Sequence, residues 1–178
     1  MTPPVVLTIA GSDPIGGAGL QADLRTFAAL GVHGASALTA VTAQTTVEVR
    51  AFWPVEPAQL VAQLEGILED LPVVAVKTGL VPTSELLEVV VGFAEANRLP
   101  NLVVDPVIVN RTGQPFVHAD TIAAYEQLLA HAVLTTPNHN EAKLIGDAAA
   151  LTIVTNAGTD TLSDGRVLTV DRIDTNNT

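Results

Sequence analysis

A small set of polar residues interrupts an otherwise aliphatic chain at places where chemistry could be done: Asp13, Asp23, Gln44, Lys77, Asp105, Asn138 and Glu141. Asp13 stands inside a glycine-rich turn, GSDPIGGAG, in which Gly16, Gly17 and Gly19 remove side chains where a ligand could approach backbone closely. Asp13 and Asp23 place carboxylates on either side of that loop. A helix beginning near Ala18 would present unpaired N–H groups, which suit an anionic or polar ligand. The Gln44 amide offers both a donor and an acceptor, as the edge of an aminopyrimidine requires. Lys77 could neutralise phosphate. Asn138-x-x-Glu141 could organise magnesium through water, since magnesium keeps most of its waters and takes few carboxylates.

Each of these residues also has a plain structural use. Asp23 could be a solvated helix residue, and Gln44 could satisfy backbone groups. Lys77 could pair with Asp105 from a neighbouring strand. Asn138 with Glu141 could be a helix cap, the commoner use of Asn at such a junction. The loop spacing is neither the dinucleotide fingerprint nor GxxxxGK[ST]. There is no GxSxG, no HExxH and no cysteine, and His33, His118, His131 and His139 lack metal-ligand spacing.

The elements that must position these groups alternate. Val5–Ala10 is a buried strand, and Leu20, Leu24, Phe27 and Leu30 repeat at helical spacing up to a stop at Gly31. Ser36–Val41 is a short strand, and Val47–Val55, carrying Trp53-Pro54, suits an edge or flap. Pro57 opens a helix reaching Asp70, and Val73–Val76 is a strand ending at Lys77-Thr78-Gly79. Thr83 or Ser84 caps the next helix. Leu102–Val104 and Val133–Thr135 are strands flanking a loop with Arg111–Pro115 at its tip and a helix over Ala119–Leu129. Helix character resumes around Asn140–Leu144, Leu151–Thr155 is again a strand, and Leu162–Val170 with Asp164-Gly165 has a hairpin signal. This alternation predicts one α/β domain with a mostly parallel sheet and helices on both faces. In such sheets ligands bind beyond the carboxyl ends of the strands, where five strand ends here carry polar groups. Ile145 to Ala150 are too few for a helical crossover, so the C-terminal third reads as abbreviated.

Composition narrows the partners. With 48% apolar and 3% aromatic residues, the interior is built from alanine, valine and leucine. A formal net charge of −11 argues against nucleic acid or an anionic membrane as the main partner. The start, MTPPVV, has no basic or long apolar segment, so a cytoplasmic protein is expected. The uncharged stretch Thr26–Val47 contains glycines, threonines and Gln44, and reads as a helix end plus strand rather than a membrane span.

Five stretches carry a family resemblance: TIAGSDPIGGAGLQADL (Thr8–Leu24), TAVTAQTT (Thr39–Thr46), AVKTGL (Ala75–Leu80), VVDPV (Val103–Val107) and TPNHNEA (Thr136–Ala142). In type and order they resemble the motifs of the hydroxymethylpyrimidine and phosphomethylpyrimidine kinases of thiamine biosynthesis, in the ribokinase-like superfamily. The resemblance implies a ribokinase-like three-layer α/β sandwich and a homodimer. It implies ATP with Mg²⁺, and phosphorylation of 4-amino-5-hydroxymethyl-2-methylpyrimidine or its phosphate. By motif, Asp23 and Gln44 would hydrogen-bond the pyrimidine, while Gly11, Ala18, Leu80 and Val107 line its pocket. Leu80 stands where the family often has methionine. Asp105, Asn138 and Glu141 would organise Mg²⁺ and the ATP phosphates, with Asp105 and Glu141 holding the metal through water and Lys77 on the phosphate side. The His-Gly-Thr-Gly-Cys-type stretch that forms the family's anion hole and supplies its base would lie beyond Thr178. The same residues leave room for a pyridoxine or pyridoxal kinase, or for a non-catalytic pyrimidine-binding protein.

Overall fold

The β-branched run at the start forms β1 (Val5–Ser12), whose residues Leu7 to Ala10 are wholly buried, as a central strand covered on both faces requires. The computed structural model describes residues 2–109, 115, 117–145, 160–161 and 167–168. In it β1 is joined in one sheet by β2 (His33–Gln44), β3 (Val49–Pro54), β4 (Val73–Thr78), β5 (Leu102–Val104) and β6 (Leu134–Thr135). The spatial order is β3-β2-β1-β4-β5-β6. All pairings are parallel except that of β3, which runs antiparallel on the edge beside β2. Pro54 ends β3, a position an edge strand tolerates because no ladder donor is lost there.

The helices are α1 (Gly19–Ala29), α2 (Pro57–Asp70), α3 (Ser84–Glu95), α4 (Ala119–Leu129) and α5 (His139–Leu144). α1 packs on β1 and β2, whereas α2, α3 and α4 pack side by side. The parallel crossover through α1 runs from β1 toward β2, whereas those through α3 and α4 run the other way, from β4 to β5 and from β5 to β6. Right-handed connections therefore place α1 on one face and α3 and α4, with α2 alongside, on the other. Leu60 and Leu64 of α2, Leu86 and Val90 of α3, and Tyr125 and Leu128 of α4 are all fully buried. Local signals set the helix starts: Pro57 at the first turn of α2 with a Glu56–Gln59 capping box, and Thr83 accepting from the Leu86 N–H at 3.3 Å.

The α/β architecture matches the expectation, and so do the edge position of β3 and the extents of β5 and α4. β2 is a correction, since it runs from His33 to Gln44 rather than over Ser36–Val41. Paired on both sides by β1 and β3, its Ala- and Thr-rich ends are held by ladder bonds that their weak hydropathy contrast does not announce. β7 (Asp160–Thr161) and β8 (Val167–Leu168) pair antiparallel, in keeping with a hairpin; its expected turn at Asp164-Gly165 lies outside the described residues. The expected strand at Leu151–Thr155 and the loop tip at Arg111–Gln114 also lie outside them. Among the described residues no helix is long and apolar enough to cross a membrane.

Candidate functional site

The chain leaves β1 toward β2, then returns to β4 on the other side. The carboxyl ends of β1 and β4 therefore flank a topological switch point, where open sheets bind ligands. A cavity of about 180 Å³ lies there. Gly11, Ser12 and Asp13 enter it from β1 and the turn behind it, and Ala18 and Gly19 from the start of α1. Thr42 and Gln44 enter from β2, Lys77, Gly79 and Leu80 from β4 and its following loop, and Asp105 and Val107 from beyond β5. Of the residues expected from sequence, Gly11, Ala18, Gln44, Leu80, Val107, Lys77 and Asp105 line this cavity, whereas Asp23, Asn138 and Glu141 do not.

The apolar wall is set by backbone. Gly11 sits so close to Leu80 that a Cβ would stand 3.3 Å from Leu80 Cδ2. The Leu80 carbonyl accepts from the buried Thr39 hydroxyl at 2.6 Å. The Tyr125 hydroxyl donates to the Gly79 carbonyl and accepts from the Val81 N–H, both at 3.4 Å. The wall opposite is Val49 and Phe52 of β3, which the sequence reading did not assign. Phe52 is in register with Thr42, so both side chains reach the same face. The neighbouring pair Val41 and Trp53 turns the other way and is largely exposed.

The glycine turn departs from expectation. The Asp13 carboxylate accepts from Ile15 N–H at 2.9 Å, Gly17 N–H at 2.8 Å and Ala18 N–H at 2.9 Å. Amides that were expected to receive a ligand are thus held by the loop's own aspartate. Gln21 braces the turn, accepting from the Asp13 N–H at 2.8 Å and donating to Ser12 Oγ at 2.7 Å. The Arg25 guanidinium donates to the Gly16 carbonyl.

Behind the cavity, Asp23 accepts from the buried Thr8 hydroxyl at 2.6 Å and pairs with Lys77 at 3.0 Å. Lys77 Nζ also stands 3.7 Å from Asp105. The expected Lys77–Asp105 pairing therefore exists, but Asp23 is the nearer partner. Burial pushes the Asp105 carboxyl above its ordinary range, Lys77 pulls it part of the way back, and Asp23 adds to the rise.

Asn138 and Glu141 form a capping box at the start of α5: the Asn138 side chain accepts from Asn140 N–H at 2.9 Å and Glu141 N–H at 3.0 Å, and Glu141 accepts from Asn138 N–H at 2.8 Å. The second Glu141 oxygen accepts from Ile108 N–H at 3.1 Å and Val109 N–H at 3.4 Å. Burial raises the Glu141 pKa against these bonds, and the Asp105 charge raises it further. Two partly desolvated carboxylates that feel each other suit a cation near them. Among the described residues no three His, Asp or Glu converge as a ligand set, so a metal here would have to take most of its ligands from water or substrate. Magnesium does so readily, and the residues fit it.

The fold defines a class: the ribokinase-like α/β proteins. The phosphomethylpyrimidine kinase family matches residues 13–165. The chain is 47% identical over 146 residues to the hydroxymethylpyrimidine/phosphomethylpyrimidine kinase of Synechococcus elongatus, covering 82% of this chain and 55% of that protein. It is 38% identical over 143 residues to the Escherichia coli protein of that name, covering 80% and 54%. Among solved structures, the phosphomethylpyrimidine kinase of Clostridium difficile superposes with a TM-score of 0.79 at 31% identity, over 95% of this chain and 85% of that one. An ADP complex of Bacillus subtilis pyridoxal kinase gives 0.80 at 31% identity, over 99% and 79%. The chain belongs to the phosphomethylpyrimidine kinase family. It spans about half the length of the curated relatives it matches.

Proposed function

We propose that this chain is an ATP-dependent kinase of 4-amino-5-hydroxymethyl-2-methylpyrimidine, its monophosphate, or both, working in thiamine biosynthesis. The observation that carries this reading is the cavity, whose Gln44 amide stands among the apolar walls of Leu80, Val107 and Phe52. At about 180 Å³ it suits a single six-membered ring, since a cavity of about 150 Å³ holds benzene. Gln44 would read the ring's donor and acceptor edge, and Gly11 and Ala18 would let it lie against backbone. Lys77, steadied by Asp23, would meet the transferred phosphoryl group with positive charge, the kind of stabilisation on which phosphoryl transfer mainly depends. Mg²⁺, when bound, would neutralise the ATP phosphates, with Asp105 and Glu141 holding it through water. Asn138 would keep Glu141 in place.

A coupled assay for ADP release on the full-length chain tests the proposal. Release that depends on hydroxymethylpyrimidine is expected, and its absence would sink the idea. The likeness to Bacillus subtilis pyridoxal kinase favours pyridoxal as the competing substrate, and the ratio of kcat/KM for the two decides. A cytoplasmic homodimer completes the reading. Support for the dimer comes from Val41 and Trp53, cross-strand partners 47% and 58% exposed, and sedimentation would test it.

A further inference from the structure

Backbone N–H groups in glycine-rich turns before a helix commonly converge on a bound anion. In this turn they converge on Asp13. One carboxylate oxygen takes the Ile15 N–H, the other takes both Gly17 and Ala18, and all three bonds are 2.8–2.9 Å long. The residue is 3% exposed, yet it borders the same cavity as Gln44. Its own N–H is tied to Gln21, so the aspartate is fixed at main chain and side chain alike. A Cβ on Gly17 would stand 3.5 Å from Asp13 Oδ2, so the carboxylate fills the turn to van der Waals contact.

We propose that Asp13 is a positioning residue: a built-in anion that occupies the glycine turn, fixes Ala18 and Gly19 as the cavity rim against an uncharged ring, and closes these amides to phosphate. The turn then has the architecture of an anion cradle without the function of one. A phosphate-bearing ligand would be oriented with its charged end away from the turn and toward Lys77. The identity of the ring rests on the pyrimidine-kinase reading; the filling of the turn rests on the geometry alone.

The test combines amide NMR with calorimetry, using acetate, inorganic phosphate and hydroxymethylpyrimidine as probes. In the unsubstituted chain, phosphate should leave the Gly17 and Ala18 amide resonances in place. In Asp13→Gly, acetate should move both, because it re-enters the vacated position. Pyrimidine affinity in that variant should fall at least about tenfold, the scale of one lost bond to a charged group, and recover when acetate is added. Asp13→Asn has almost the same volume but turns one N–H₂ toward the donors. It should lose affinity without acetate recovery, and it serves if the glycine variant does not fold. Phosphate-induced shifts of Gly17 and Ala18 in the unsubstituted chain would overturn the proposal, as would full pyrimidine affinity in either variant. Failure of the unsubstituted chain to bind hydroxymethylpyrimidine would count against the functional reading, while the acetate response of Asp13→Gly would still decide the role of Asp13.

Discussion

Lys77 lies 3.0 Å from Asp23 and 3.7 Å from Asp105, so the cation beside the cavity is anchored by the helix on one face of the sheet rather than by its neighbouring strand. The same Asp23 oxygen accepts from the Thr8 hydroxyl, which is fully buried. Asp23→Ala therefore orphans a buried hydroxyl and frees Lys77 to move toward Asp105. The pair keeps some solvent contact, with side-chain exposures of 25% and 17%, so the expected loss is below that of a fully buried ion pair. We predict about 1–3 kcal/mol by urea denaturation. A double-mutant cycle with Lys77→Ala should show coupling of about 1 kcal/mol or more. Additive losses would mean that the contact is incidental.

The pH dependence of stability has a definite sign at Asp105. Burial raises this carboxyl, so the folded state holds the proton more tightly than the unfolded chain does. Its contribution is fully present below the unfolded pKa of about 3.9 and is lost as pH rises through the folded value. At pH 7 the ionised, partly desolvated carboxylate is then a cost. Asp105→Asn is predicted to be more stable than the parent near neutrality, with the gap closing as pH falls into the ordinary Asp range. A gap that widens on acidification would contradict this.

Magnesium should reverse part of that cost. If Asp105 and Glu141 hold the ion through water, added Mg²⁺ should raise the melting temperature of the parent and have little effect on Asp105→Asn. Thermal unfolding with and without the ion decides between a cation site and a carboxylate pair with no such role.

Glu141 tests structure against metal chemistry from the other side. Its carboxylate satisfies the Asn138, Ile108 and Val109 N–H groups, and the residue is 3% exposed. Glu141→Ala leaves these donors without their partner, and each buried orphan costs about 1–3 kcal/mol. A loss on the order of 3 kcal/mol is expected even with Mg²⁺ absent. Asn138→Ala should cost only about 1 kcal/mol, the value of a helix cap. A Glu141→Ala variant as stable as the parent without metal would remove its structural role.

The sequence disclosed the strand ends and the helical stripes because both depend on local alternation of side-chain type. Lys77, Asp105 and Gln44 were found in this way, each following an apolar run. What it did not disclose depends on backbone direction and register. Asp13 was visible as a carboxylate beside the loop, but that three loop amides turn toward it follows from the path of the turn. The Asp23–Lys77 pair joins residues 54 apart, and no local pattern links them. Phe52 reaches the cavity because β3 pairs it with Thr42, and the register shift between Ala43 and Gln44 sets Val49 rather than Arg50 opposite Gln44. A slip of one residue would turn Trp53 inward instead. The capping use of Asn138 and Glu141 was legible as one of two alternatives, and the metal alternative remains compatible with it.

Two glycines of the same turn should respond unequally to alanine. Gly19 has φ +58°, in the left-handed region, and a Cβ there would collide with the Gly11 carbonyl oxygen. A left-handed conformation costs an ordinary residue about 1–2 kcal/mol before any collision is counted. The carbonyl belongs to the cavity wall and cannot yield without moving it. Gly19→Ala is predicted to lose at least about 2 kcal/mol of stability, with pyrimidine affinity falling as Gly11 shifts. Gly17 instead offers its Cβ an ordinary 3.5 Å contact with Asp13 Oδ2, so Gly17→Ala should stay within about 0.5 kcal/mol of the parent. Urea denaturation and calorimetric titration of the two variants side by side would show whether the close approach of α1 to β1, rather than glycine content as such, shapes the cavity. Equal losses at both positions would reject that account.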